Sequence, residues 1–132
     1  KKKNGEEIKF NYKKDYKKNL LVYDQLFFKN FLSTSAISLK KNLIIEANYF
    51  DETLPSAQDY DLWLRIGNNF KFVFIDEYLG YYNERADNIT SRPYKLRIKN
   101  LLRILKKNRD KIGFFTYYYK LLRILINREW FK

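Results

Sequence analysis

A chain of 132 residues that is 45% hydrophobic and 19% aromatic carries enough apolar surface for one domain-sized core, and is too apolar to stay disordered. It contains neither cysteine nor histidine, which excludes disulfides, thiolate and imidazole metal sites, and Ser-His-Asp or Cys-based catalysis. Asp, Glu, Lys and Tyr remain as acid–base groups, and the formal charge of +12 divides into +5 over residues 1–18, −4 over 19–91 and +11 over 92–132.

Residues 1–14 are polar and rich in lysine. Asn4-Gly5 is a turn signal, and Ile8, Phe10 and Tyr12 alternate with Lys9 and Asn11, the pattern of one short edge strand guarded by lysine. Over residues 15–31, Tyr16, Leu20, Tyr23, Phe27 and Phe31 recur every three or four positions, which predicts an amphipathic helix with Asp15 in its first turn. Residues 33–39 alternate as a short strand, residues 40–47 predict a two-turn helix with Leu43 and Ile44 inward, and residues 48–56 predict a loop.

A helix follows over about residues 57–66, closed by Gly67-Asn68-Asn69. Two apolar strands are expected at 70–75 and 78–82, and the polar stretch from Asp87 to Pro93 marks the expected structural boundary. Beyond it, residues 94–109 and 114–130 read as two helices joined at Lys111-Ile112-Gly113. Leu96, Leu101, Leu102, Ile104 and Leu105 make a face on the first, and Tyr118, Leu121, Leu122, Leu125 and Ile126 a face on the second, so a helical hairpin is predicted. No run reaches the ~18 uncharged residues that a membrane-spanning helix requires.

The acids that can do chemistry gather around the middle helix. Asp61 stands four residues before Arg65, the spacing of a helical ion pair. Asp59 has two readings that are compatible. Ser56 and Asp59 are spaced as a capping box, and a carboxylate at a helix start can also face a cleft as a general base.

Phe50-Asp51-Glu52, followed after a short loop by Gln58-Asp59-Tyr60-Asp61-Leu62-Trp63-Leu64-Arg65, resembles the acceptor-side motif of family 2 glycosyltransferases. That family usually shows Phe-Asp-Glu and then Glu-Asp-x-Asp-Leu-x-x-Arg. The likeness extends upstream through residues 30–36 and downstream through residues 70–82, covering about residues 30–90. It implies that Asp59 is the base that deprotonates an acceptor hydroxyl as it attacks the anomeric carbon with inversion. Gln58 and Trp63 are then the acceptor-side residues, with burial in the core as the other reading of Trp63, and Asp61 and Arg65 give structural support.

Gln58 replaces the usual Glu, which removes a charge beside Asp59. Asp59 and Asp61 spell Asp-x-Asp, but in the resembled family the metal-binding motif of that form ends a strand upstream of this region. No metal site is therefore expected within this chain, and a divalent metal, Mn or Mg, is expected in a longer parent protein. Where family members place a His after the strand equivalent to 79–82, this chain has Asn83-Glu84-Arg85, and Arg85 has two readings, an exposed loop residue or a positive charge for a diphosphate, without the ability to ligate a metal.

The combined expectation is an α+β fold, the C-terminal part of a GT-A-type glycosyltransferase, with a few short strands packed by helices over residues 1–91 and a basic, aromatic helical tail over 92–132. The starting point at Lys1 and the absence of Met suit a piece of a longer protein, inert without its nucleotide-binding half. Expected partners of the parent are a nucleotide-sugar donor and a saccharide or glycolipid acceptor, in the cytoplasm. The tail has three readings: a solvated basic face, an anionic membrane surface on the inner leaflet, or nucleic acid, the last without any supporting motif. The rival to an enzyme is a non-catalytic basic module that binds anionic membrane or nucleic acid.

Overall fold

The structure is a computed structural model that describes residues 2–3, 6–7, 22–69, 72–80 and 94–126. At the start, β1 (Lys2–Lys3) pairs antiparallel with β2 (Glu6–Glu7), Lys2 opposite Glu7 and Lys3 opposite Glu6. Helices α1 (Val22–Phe28), α2 (Lys41–Glu46), α3 (Gln58–Gly67), α4 (Tyr94–Lys107) and α5 (Phe114–Leu125) follow, with single 3₁₀ turns at Thr34–Ala36 and Arg109–Lys111.

Helix α3 is the centre of the packing, because Tyr60, Leu62, Trp63, Leu64 and Ile66 bury side chains around most of its circumference. Helix α1 has two turns and would not hold by itself in water. It is fixed by burying Tyr23, Leu26 and Phe27, and by the Tyr60 hydroxyl donating to the Phe27 carbonyl at 3.2 Å. Gly67 lets the two helices pass closely: a Cβ there would lie 3.4 Å from Leu26 Cδ1 and 3.6 Å from the Tyr23 nitrogen. Leu54, Leu101, Ile104, Leu105 and Ile124 complete the same core, so α4 and α5 close over the helices that precede them.

Asn108 joins the end of α4 to α1. Its side-chain amide donates to the Ile104 carbonyl at 2.8 Å, and its oxygen accepts from the Tyr23 hydroxyl at 2.9 Å. Burial first and Asp24 second push the Tyr23 phenol up to about 12, so it remains a hydrogen-bond donor.

The expected α+β, GT-A-type arrangement is corrected by this architecture. Among the described residues the fold is helical, and no sheet packs on the helices. The predicted strand over 33–39 is a 3₁₀ turn with extended residues on either side, Ala36 donating to the Ser33 carbonyl at 2.9 Å. The predicted strands over 70–75 and 78–82 form no ladder within residues 72–80, where Val73, Ile75, Tyr78 and Leu79 are exposed. An apolar run makes a strand only where a neighbour supplies the other half of the ladder, and none lies beside these residues among the described ones. The edge strand expected through Ile8, Phe10 and Tyr12, the first-turn Asp15 and the boundary at 87–93 lie outside the described residues.

Candidate functional site

The start of α3 is set by the loop over residues 51–57 that leads into it. Asp51 folds the preceding loop by accepting the Thr53 amide at 3.0 Å and the Thr53 hydroxyl on the same oxygen. Leu54 is fully buried and anchors the loop to the core. Ala57 takes a left-handed conformation with φ 61°, turning the chain sharply into the helix. Gln58 then reaches back and donates its side-chain amide to the Leu54 carbonyl at 2.7 Å. A Glu could not make this bond, so the amide at this position ties loop to helix.

Asp59 is half-buried beside this turn. Its Oδ1 accepts the Tyr60 backbone amide at 2.8 Å and its Oδ2 accepts the Thr34 hydroxyl at 2.9 Å. The capping box expected from Ser56 and Asp59 does not form, because Ala57 occupies the N-cap and Ser56 Oγ accepts from Asn100 at 2.8 Å. Asp59 nevertheless satisfies one of the first-turn amides that a helix start leaves without partners. Two neutral donors fix its orientation and leave carboxylate lone pairs for a further hydrogen bond, the requirement for accepting a proton from a bound hydroxyl.

Asp61, two residues on, is in a different situation. It is 2% exposed, and Arg65 Nε donates to its Oδ2 at 3.0 Å while Lys107 Nζ donates to its Oδ1 at 3.1 Å. Lys107 also reaches Asp51 Oδ2 at 2.5 Å, and Arg103, one turn earlier on α4, donates to the Thr53 hydroxyl at 2.7 Å. The Lys107 contact first, then the Thr53 hydroxyl, hold the Asp51 carboxyl well below the usual carboxylate range. Arg65 extends the network to the backbone, donating to the carbonyls of Ala47 and, at 2.7 Å, Tyr49. Asn48 and Tyr49 both have φ 57°, so this guanidinium clamps a left-handed turn that closes α2.

The structure thus brings Gln58, Asp59, Asp61 and Arg65 onto one helix and separates the two aspartates by partner. Trp63 is buried in the core, and its indole nitrogen has no hydrogen-bond partner among the described residues. Arg85 lies outside the described residues. Sequence reasoning missed Thr34, Arg103 and Lys107. The i, i+4 spacing of Arg103 and Lys107 puts them on one face of α4, but nothing local links that face to acids about fifty residues earlier. Among the described residues no group of three or more Asp and Glu is placed to hold a metal ion. Asp61 is already matched by two cations, so the Asp59–Asp61 pair does not fit one either.

With the geometry established, comparison with known proteins gives one informative similarity. The chain is 34% identical, over 98 residues, to an uncharacterized glycosyltransferase of Methanocaldococcus jannaschii. The matched region is 71% of this chain and 34% of that protein, so the chain spans about a third of the relative's length. This supports a glycosyltransferase relationship. No family model and no solved structure matches the chain.

Proposed function

We propose that this chain is the acceptor-side part of an inverting, family 2 glycosyltransferase, in which Asp59 is the general base that takes the proton of an acceptor hydroxyl. The observation that carries the reading is the division of labour between two carboxylates two residues apart. Asp61 is sealed from solvent and matched by Arg65 and Lys107, whereas Asp59 is half-exposed and, among the described residues, held by a hydroxyl and an amide. A base must reach its substrate, and of the two only Asp59 can. The similarity to a glycosyltransferase and the motif spanning residues 50–65 support the same assignment.

In this reading Thr34 and the Tyr60 amide hold the Asp59 carboxylate in one orientation, and Gln58 fixes the loop at the helix start. Asp51, Asp61, Arg65, Arg103 and Lys107 keep that loop and the α2 turn in register. The acceptor is a saccharide or glycolipid, the donor a nucleotide-sugar, and the donor and divalent-metal sites belong to residues of a longer parent protein. The chain alone is then inert toward nucleotide-sugars.

The test is turnover by the longer protein, followed as released nucleoside diphosphate. Asp59→Asn keeps the size of the side chain and removes its basicity, and turnover is expected to fall roughly 10²–10⁴-fold with donor affinity nearly unchanged. Near-normal turnover would overturn the assignment.

A further inference from the structure

Helix α5 is oriented against expectation: its inward face carries Lys120 and Ile124, and its aromatic and aliphatic face points outward. Phe114, Phe115, Tyr118, Leu122, Leu125 and Ile126 form a contiguous exposed arc, with Phe115 86% and Phe114 69% accessible. At the 100° per residue of a helix, this arc lies opposite Lys120 and contains no charged side chain. An arginine stands at each border: Arg109 lies over the Tyr117 ring at 5.8 Å and Arg123 over the Tyr119 ring at 5.8 Å.

The tail that carries the arc is strongly basic. Lys99, Lys106, Arg109 and Lys111 are exposed in its described part, Arg103 and Lys107 are engaged by Thr53, Asp51 and Asp61, and the single described acid between residues 94 and 126 is Asp110. Over residues 92–132 the net charge is +11. An apolar arc bordered by cations fits an occupant that is apolar inside and anionic outside. A second copy of the chain would bring two positive rims together, and a nucleic acid would leave Leu122, Leu125 and Ile126 without complementary groups. Among the described residues no helix is long and apolar enough to cross a membrane, so α5 can lie in an interface but not span it.

We propose that α5 is a membrane-surface helix, seating its arc from Phe114 to Ile126 in the interface of an anionic phospholipid bilayer, with Lys106, Arg109, Lys111 and Arg123 against the headgroups. The inference rests on the exposed arc and its charged border, and stands whether or not Asp59 is a base.

The experiment is co-sedimentation of the full chain with vesicles of phosphatidylglycerol and phosphatidylcholine in equal parts, and with phosphatidylcholine alone. Binding is expected to be about tenfold or more tighter on the anionic vesicles and to weaken as salt is added. Phe115→Ser combined with Leu122→Ser is expected to weaken it about tenfold or more while thermal melting is unchanged, since both side chains are exposed. Lys106→Glu combined with Lys111→Glu is an independent variant expected to give a comparable loss. Equal binding to both vesicle types, or unchanged binding by the Phe115/Leu122 variant, would overturn the proposal. So would a dimer at sedimentation equilibrium that the same two substitutions abolish, which would assign the arc to a second copy.

Discussion

Helices α3 and α5 each bury one charged side chain, Asp61 and Lys120, and they do so by opposite routes. Helix α3 surrounds Asp61 with buried apolar residues and matches it with Arg65 and Lys107. Helix α5 turns Lys120 into the core, where its ammonium donates to the Phe28 carbonyl at 3.3 Å and lies 5.9 Å from the Phe27 ring and 5.8 Å from the Tyr60 ring. It leaves the aromatic residues outside. Periodicity establishes which side chains share a face, but which face is buried depends on what the neighbouring elements offer.

A matched pair of leucine truncations breaks this comparison most sharply. Leu62 on α3 is 0% exposed, and Leu62→Ala is expected to cost about 2–5 kcal/mol in urea unfolding. Leu122 on α5 is 56% exposed, and Leu122→Ala is expected to stay within about 0.5 kcal/mol. Comparable losses at the two positions would mean that the α5 arc is covered in solution.

A smaller effect sharpens the contact between α1 and the end of α4, the hydrogen bond from the Tyr23 hydroxyl to Asn108. The unfolded chain releases the Tyr23 proton near 10.0, while the folded chain keeps it to about 12. Stability from this group is therefore complete below the unfolded value and is lost as pH rises through the folded one, a loss on the order of 2 kcal/mol. Tyr23→Phe should flatten the decline between those two pH values. A profile unchanged by that substitution would remove Tyr23 as its cause.

What the sequence reveals of this fold follows the range of the interactions. The middle helix is read at 57–66 and found at Gln58–Gly67, because its start, its apolar spacing and its closing Gly67-Asn68-Asn69 are local signals. The first tail helix is read at 94–109 and found at Tyr94–Lys107, where Asn108 ends it. The strand read at 33–39 is a misreading because alternation there is real but a ladder requires a second strand, which is not a property of the segment itself, and the apolar runs read as strands at 70–75 and 78–82 form no ladder within residues 72–80. At the site, the Asp61–Arg65 pair is visible from its spacing. Lys107 bridging Asp51 and Asp61 is not, because it joins positions 56 and 46 residues apart. The local turn that replaces the capping box is likewise decided by Asn100, on another helix, taking Ser56.

The central claim is that Asp59 and Asp61 divide chemistry from structure, and thermal melting of the chain carrying each Asp→Asn substitution tests it most directly. Asp61→Asn leaves Arg65 and Lys107 facing a buried neutral amide, and a loss of about 3 kcal/mol is expected, the low end for a broken buried pair because both cations reach solvent. Asp59→Asn keeps an oxygen for the Thr34 hydroxyl or the Tyr60 amide and is expected to cost no more than about 1 kcal/mol. A large loss in Asp59→Asn together with a melting point near the parent's in Asp61→Asn would reverse the roles and contradict the account.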